Sequence, residues 1–232
     1  MSSTRISGRR LEPRKLPKQS RSEATVQAVL EAAAQVFEHH GYGAATTNRI
    51  AERAGVSIGS LYQYFPNKDA ILVALARQHI ADSTAMLQPH LQRLGSSARW
   101  DDVLPDIVDA MVAMHALAPG LHRALFEETP LPSTLRAELD RLEDRLVDLT
   151  ANALAADLGP SPVETRLPAR IVVSAIEGLT HRLVLRPPPD VTPEEIAREI
   201  TDLVRIYIQK HTPSANGPPT SPANGFSGAV AS

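Results

Sequence analysis

Residues 46–68 read TTNRIAERAGVSIGSLYQYFPNK, and this stretch predicts two short helices joined by a tight turn. Thr46 and Thr47 precede the first helix, which ends near Ala54, and Gly55 supplies the positive φ that the turn needs. Ser57 is placed to cap the second helix. Inward positions carry side chains that let the two helices pack closely: Ile50, Ala51, Ala54, Val56 and Leu61. The pattern is typical of a helix-turn-helix.

A further helix is predicted on each side of this pair. Upstream, apolar residues recur at helical spacing, and Gly41 is placed to end their helix: Val26, Val29, Leu30, Ala33 and Phe37. Downstream, Asn67 is placed to cap a longer helix that carries Ile71, Leu72 and Leu75. The first third of the chain is therefore predicted to be a small helical domain.

The 46–68 stretch, with Gly41-Tyr42 just before it, closely resembles the signature of the tetracycline-repressor (TetR) family of bacterial transcriptional regulators. The resemblance spans about residues 24 to 75. It implies an all-α fold of about nine helices, with an N-terminal helix-turn-helix domain and a C-terminal helical domain for ligand binding and dimerisation. The implied function is a regulator, commonly a repressor, that binds near-palindromic operator DNA as a homodimer and is released by a small effector.

The resemblance also assigns roles in DNA binding. In the family, residues at the positions of Ile58, Gly59 and Ser60 approach the edges of DNA bases. Residues at the positions of Tyr62, Tyr64 and Lys68 contact the DNA backbone. Asn48 is a candidate adenine contact. The predicted DNA-binding set is Thr46, Thr47, Asn48, Ser57, Ile58, Gly59, Ser60, Tyr62, Tyr64 and Lys68.

Five of these residues also have a structural alternative that the sequence leaves open. Thr46 and Thr47 also fit a pure helix cap, since their hydroxyls suit either a phosphate or a backbone amide. Tyr62 and Tyr64 also fit half-buried packing positions, and Lys68 also fits a solvated charge.

Composition and charge divide the chain further. Up to Asp69 there are ten Lys and Arg against six Asp and Glu, whereas the remainder has fourteen against twenty. A basic first third on an acidic remainder indicates a module that faces nucleic acid. We expect a flexible basic arm over 1–21, the DNA-binding domain over 22–69, a helical ligand-binding and dimerisation domain over 70–211, and a disordered tail over 212–232.

The absence of cysteine excludes a disulfide framework, cysteine zinc sites and cysteine nucleophiles. No apolar stretch approaches the roughly 18 residues of a membrane span. We therefore expect a cytoplasmic protein without a membrane partner.

Two capping-box patterns predict the last two helices, at Ser161-Pro162-Val163-Glu164 and Thr192-Pro193-Glu194-Glu195. Pro168 must either kink the first of these helices or move its start downstream. Their broad apolar stripes predict a dimer interface, although the stripes also fit a protomer core. The predicted interface residues are Val172, Ala175, Ile176, Leu179, Leu183, Ile196, Ile200, Leu203 and Tyr207.

A few polar groups among apolar neighbours predict an effector pocket for a small, largely apolar ligand. Its candidate residues are Met111, Met114, His115, His122, Phe126, Glu177 and His181. Each histidine also fits a satisfied core or surface position. Metal binding is not expected, because Pro119-Gly120 interrupts the spacing of His115 and His122 and the sequence shows no compact ligand set; no cofactor is expected either.

The sequence shows no Gly-rich phosphate loop, nucleophile elbow or HExxH motif, so we do not expect an enzyme. The alternative to a regulator is a helical small-molecule-binding or interaction protein without sequence-specific DNA binding. A salt-sensitive, operator-specific gel shift discriminates between them.

Overall fold

A computed structural model of the chain describes residues 20–211, except 97–98, 130 and 160. These residues form helices and connections without strands, which confirms the all-α prediction. Their nine helices are α1 (Ser20–Ala44), α2 (Thr47–Arg53), α3 (Ile58–Tyr64), α4 (Lys68–Leu94), α5 (Trp100–Leu117), α6 (Pro119–Phe126), α7 (Ser133–Leu158), α8 (Pro162–Leu185) and α9 (Pro193–His211). The expected tail and residues 1–19 of the expected arm lie outside the described residues, whereas residues 20 and 21 belong to α1.

The starts of the short N-terminal helices follow from side-chain caps. Thr46, Ser57 and Asn67 each accept a hydrogen bond from the backbone amide three residues later, at 2.8 to 3.2 Å. Gly41 interrupts α1 with a φ of 67°, and Gly55 makes the turn between α2 and α3 with a φ of 65°. The caps and turns of the predicted helix-turn-helix are confirmed.

The capping boxes of α8 and α9 are also present. The Ser161 amide donates to Glu164, and the Thr192 amide donates to Glu195, while each glutamate amide donates back to the cap hydroxyl. α8 begins at Pro162 and continues through Pro168, so the proline does not move its start. The Ser161 capping box fixes the start upstream of Pro168.

Two apolar clusters hold the molecule together. The first joins α1, α2, α3 and the start of α4, and α6 and α7 complete it through Ala124, Leu125 and Leu135. The second joins the end of α4 with α5, α7, α8 and α9 around Val108, Leu154 and Ile200. The N-terminal helices therefore share their core with α6.

α6 makes polar contacts with α1 as well, and we call this set the α1–α6 junction. The Leu121 amide donates to the Glu38 carboxylate. The Tyr42 amide donates to the Glu128 carboxylate at 2.7 Å. Gly120 is buried against the Glu38 carbonyl, where a side chain has no room. The start of α6 and the segment just after its end are thus fixed to α1.

Among the described residues, no single helix is both long and apolar enough to cross a membrane. α5 and α6 satisfy that test only as a pair, and the pair is bent by 89°.

Candidate functional site

The predicted DNA-facing surface lies at the start of α3 and on the adjoining part of α2. Ile58 is 38% exposed and Tyr62 is 40% exposed, although both side chains are large and largely apolar. Beneath them Ile50 and Leu61 are fully buried, and they fix the orientation of the two helices. Thr46, Asn48, Ser57 and Gly59 are exposed on the same part of the molecule.

Hydroxyl contacts hold this surface together. The Tyr62 and Thr47 hydroxyls lie 3.0 Å apart, which ties α3 to α2. The Ser57 and Ser60 hydroxyls lie 2.8 Å apart at the start of α3. These contacts orient Tyr62 and Ser60 before any nucleic acid is present.

Two members of the predicted set are used within the fold. Tyr64 is half-buried against the first apolar cluster. The Lys68 ammonium donates to the carbonyl oxygens of Tyr42 and Ala45, at 2.6 and 2.9 Å, and lies 3.9 Å from the centre of the Tyr42 ring. Burial lowers the pKa of Lys68. Tyr64 therefore matches the half-buried packing alternative. Lys68 does not match the solvated-charge alternative, and it holds the segment before α2 in place.

A cavity of about 590 Å³ lies inside the helices of the C-terminal region. All seven residues predicted for the effector pocket line it, because α4, α5, α6, α7 and α8 converge there. Most of its wall is apolar, including Leu91, Leu94, Trp100, Leu104, Ile107, Leu146 and Ile176. The carboxylates of Asp140, Glu143 and Glu177 also border it.

Four histidines from four helices meet at this cavity: His79 of α4, His115 of α5, His122 of α6 and His181 of α8. The ring centres of His115 and His122 are 4.1 Å apart, and those of His122 and His181 are 5.1 Å apart. One ring nitrogen from each of His115, His122 and His181 lies within 4.8 Å of the other two. We call these three residues the histidine cluster.

The histidine cluster is electrostatically unusual. Burial, opposed by a hydrogen bond to Met111, lowers the pKa of His115 to about 4. Burial together with the neighbouring imidazoles lowers the pKa of His122 to about 2. Burial also lowers the pKa of His79. These three rings are consequently neutral at physiological pH.

The expectation that the sequence offers no compact metal-ligand set is wrong, because the histidine cluster is such a set. The break at Ala118 bends the chain by 89° and folds α6 back against the end of α5. The Pro119-Gly120 interruption therefore brings His122 to His115 instead of separating them.

Sequence reasoning missed two residues of this region. His79 lies opposite His122, with 3.1 Å between its Nε2 and the Nδ1 of His122. Glu127 contacts the His181 Nε2 at 3.2 Å and pairs with Arg186 at 2.9 Å. The sequence around His79 gave no sign of its contact with His122, and the sequence around Glu127 gave no sign of its contact with His181. Each contact joins residues that lie far apart in the chain.

The residues predicted for a dimer interface separate into two groups. Val172, Ile176, Ile196 and Ile200 are at most 7% exposed in the protomer and belong to the second apolar cluster. That placement favours the protomer-core alternative for these four, because buried side chains offer little area to a second chain. Leu203 is half-exposed, and Ala175, Leu179, Leu183 and Tyr207 are partly buried. Large apolar side chains that the prediction omitted are exposed on the same two helices: Val163, Leu167, Ile171 and Ile206.

Two family models match the chain, and together they cover more than half of it. The model of bacterial regulatory proteins of the tetR family matches residues 29–75. The model of the tetracyclin repressor-like C-terminal domain matches residues 100–208. These ranges contain the DNA-facing surface and most of the cavity, respectively.

Individual proteins are similar over most of the described chain. The nucleoid occlusion factor SlmA of Haemophilus influenzae (strain PittGG) is 28% identical over 182 residues, which are 75% of this chain and 82% of SlmA. The crystal structure of FadR from Bacillus subtilis in complex with stearoyl-CoA has a TM-score of 0.59 at 17% identity, covering 77% of this chain and 96% of FadR. The structure of AibR in complex with isovaleryl coenzyme A and operator DNA has a TM-score of 0.60 at 20% identity, covering 78% of this chain and 97% of AibR.

Proposed function

Since this chain belongs to the TetR family and is a ligand-responsive, DNA-binding transcriptional regulator, we propose that the α3 surface reads operator DNA and that the cavity holds the effector. We assign residues 22–69 to DNA binding and 70–211 to effector binding and dimerisation. The chain acts in the cytoplasm, where its operator is, and it acts by binding rather than by catalysis.

The exposure of Ile58 and Tyr62 carries the DNA-binding assignment. Both side chains present carbon surface at the start of α3, and a thymine methyl group and the sugar-phosphate backbone are suitable partners for them. Asn48, Ser60 and the exposed helix start at Ser57 supply hydrogen-bonding groups. Lys68 acts indirectly, by holding the segment before α2.

The exposed apolar side chains of α8 and α9 are proposed as the dimer contact. Val163, Leu167 and Ile171 recur on α8, while Leu203 and Ile206 lie on α9, and all five are at least 41% exposed. A helix pair that presents this apolar surface is stabilised when a second copy covers it. A symmetric dimer places two α3 helices on half-sites about 34 to 36 Å apart, or a multiple of that spacing.

The effector is proposed to be small and largely apolar. Among the described residues, no Lys or Arg lines the cavity, whereas three carboxylates do. A bound phosphate would therefore lack a charged partner, so the part of the effector inside the cavity is not a nucleotide. FadR and AibR are described with stearoyl-CoA and isovaleryl coenzyme A, and the acyl portions of such molecules have the apolar character that this wall accommodates.

α6 is the proposed connection between the two sites. It carries His122 and Phe126 to the cavity wall and is fixed to α1 by the α1–α6 junction. An effector that prefers a displaced α6 changes the position of α1 and the reading helices.

The test begins with selection of bound fragments from genomic DNA, followed by gel shifts with the selected operator. We expect a salt-sensitive complex that discriminates the operator from unrelated DNA of equal length. N-phenyl-1-naphthylamine, a neutral apolar dye, should increase in fluorescence on binding the cavity. Replacing Leu104 with Glu should abolish that increase, and replacing exposed Leu117 with Glu should not. Binding to all DNA with equal affinity would contradict the operator assignment, and an unchanged dye signal in the Leu104 variant would contradict the cavity assignment.

A further inference from the structure

We propose that His115, His122 and His181 form a binding site for a divalent transition-metal ion of the zinc class at one wall of the cavity. We further propose that the open coordination position of this ion anchors a donor atom of the effector. The metal site stands on the geometry alone, whereas its anchoring role rests on the proposed effector cavity.

The three side chains come from three different helices and converge on one point. Their candidate ligand nitrogens lie within 4.8 Å of one another. Ligand nitrogens on a tetrahedral zinc ion with bonds of about 2.1 Å are roughly 3.4 Å apart. Binding would therefore draw the three nitrogens together by up to about 1.4 Å.

The hydrogen bonds of the cluster leave one suitable nitrogen on each ring. His115 uses its Nδ1 to donate to the Met111 carbonyl at 2.8 Å, which leaves Nε2 with a free lone pair. The His122 Nδ1 contacts His79, which leaves its Nε2. The His181 Nε2 contacts Glu127, which leaves its Nδ1.

This arrangement matches the surroundings of metal-binding histidines in general. Such residues almost always donate their second ring N–H to a carboxylate or a backbone carbonyl, which fixes the ring and raises its basicity as a ligand. Met111 supplies the carbonyl for His115, and Glu127 supplies the carboxylate for His181. His79 orients His122 in the same way. Packed core histidines need hydrogen-bond partners as well, so the convergence of the three rings from three helices is what distinguishes a metal site here.

The local charge also favours a cation. Asp140, Glu143 and Glu177 border the same cavity, and within the described part of the chain no Lys or Arg lines it. A divalent ion entering the cavity therefore meets these carboxylates, of which Glu143 is also paired with Arg170 at 3.5 Å.

The ligand set selects the metal class and leaves a position open. Imidazole nitrogen suits zinc, copper, nickel and iron, whereas magnesium and calcium prefer oxygen ligands. Three protein ligands on zinc leave a fourth position for water or another molecule. Because the cluster lies on the cavity wall, that position is accessible to a carboxylate, enolate or thiolate group of a bound effector.

Zn²⁺ alone is the probe in the first experiment. The full chain, prepared without a polyhistidine tag and stripped of metal by a chelator, is titrated with Zn²⁺ by calorimetry, and bound metal is counted by mass spectrometry. We expect one ion per chain. Co²⁺ in place of zinc should give the intense visible absorption of a tetrahedral site.

Variants separate a metal site from a packed histidine core. His115→Asn and His122→Asn should each weaken Zn²⁺ binding by at least 100-fold. Glu127→Gln, which touches no metal, should weaken it by about 10- to 100-fold through His181. Arg186→Gln, which removes the other partner of Glu127, and His40→Ala, which removes an exposed histidine of α1, are the matched controls and should change affinity by less than about threefold.

The outcomes distinguish this proposal from the proposed function. Failure of the parent to bind stoichiometric Zn²⁺, or equal affinity in the parent and the two His→Asn variants, overturns the metal site. If the Asn variants do not fold, unchanged affinity in Glu127→Gln overturns it instead. Operator binding and dye binding are measured on the same metal-free preparation, so loss of those signals counts against the proposed function and not against the metal site.

Discussion

Replacing Gly120 with Ala tests whether α6 is fixed against α1. A Cβ at this position would lie well inside van der Waals contact of the Glu38 carbonyl oxygen and 3.1 Å from the Glu38 side chain. An ordinary carbon–oxygen separation is about 3.3 to 3.6 Å, so α6 and α1 must move apart by roughly 1 Å. The backbone of Glu38 cannot rotate away as the end of a flexible side chain can.

The size of the effect follows from two contributions. Forcing an additional methyl group into a well-packed contact costs about 1 to 3 kcal/mol. The same displacement stretches the hydrogen bond from the Leu121 amide to the Glu38 carboxylate, and a hydrogen bond to a charged group contributes about 1.5 to 3 kcal/mol. Because α1 retains contact with α6 through the apolar cluster, we expect a total loss of about 2 to 4 kcal/mol in the free energy of unfolding.

Urea denaturation at one fixed protein concentration measures this loss, since the stability of an oligomer depends on concentration. Gly43→Ala is the control, because a Cβ there meets nothing within 4 Å, and it should change stability by less than about 0.5 kcal/mol. Operator affinity should fall in the Gly120 variant and not in the Gly43 variant. A Gly120→Ala protein with the stability and operator affinity of the parent would refute the argument that α6 is clamped to α1.

Three further outcomes are expected. Tyr62→Ala should weaken operator binding at least severalfold without changing the circular dichroism spectrum, because its ring is 40% exposed and does not belong to the apolar cluster beneath it; equal affinity at matched salt would show that α3 faces elsewhere. Lys68→Met should lower the free energy of unfolding by roughly 1.5 to 3 kcal/mol through its two carbonyl partners and leave the salt slope of DNA binding unchanged, whereas a slope reduced by about one unit would reveal a phosphate contact. Ile206→Asp should produce monomers in sedimentation velocity that retain their helix content, whereas Ile200→Asp, in the protomer core, should unfold the chain; a stable dimer of the Ile206 variant would contradict the proposed interface.

Local signals made the helix starts predictable from sequence. Ser57 accepts a hydrogen bond from an amide only three residues away, and the capping box at Ser161 involves only its neighbour Glu164. Such contacts form within one helical turn and need no information about the rest of the fold. Gly41 and Gly55 were predictable for the same reason, since each adopts a positive φ at a local chain reversal.

The sequence did not predict whether an apolar stripe on a helix packs inside the protomer or stays on its surface. Helical spacing shows that Val172, Ile176 and Leu203 each lie on an apolar stripe, but it does not show which neighbour covers each one. Val172 and Ile176 are buried in the second apolar cluster inside the protomer, whereas Leu203 stays half-exposed. Only tertiary packing separates the core from a surface available to a second chain.

The histidine cluster escaped prediction because its members approach one another across α5, α6 and α8. His181 lies 59 positions after His122, and no short motif spans that distance. The bend at Ala118 was visible as Pro119-Gly120, yet the sequence does not give its angle of 89°. The angle between two helices at such a break decides whether residues on the two helices lie far apart or close together.

The sharing of one apolar cluster between the N-terminal helices and α6 limits how this regulator can be recombined with its relatives. The two family matches leave residues 76–99 between them, which makes that segment an obvious point for fusing one protein's DNA-reading part to another's effector domain. A fusion there would deprive the N-terminal helices of Ala124, Leu125 and Leu135, which complete their core. Carrying residues 118–135 along would restore that core, but the same segment brings His122 and Phe126 into the new cavity. If the cavity holds the effector as proposed, a hybrid that folds inherits part of this chain's effector preference, and a new preference is reached by substitutions within the cavity rather than by exchange of whole domains.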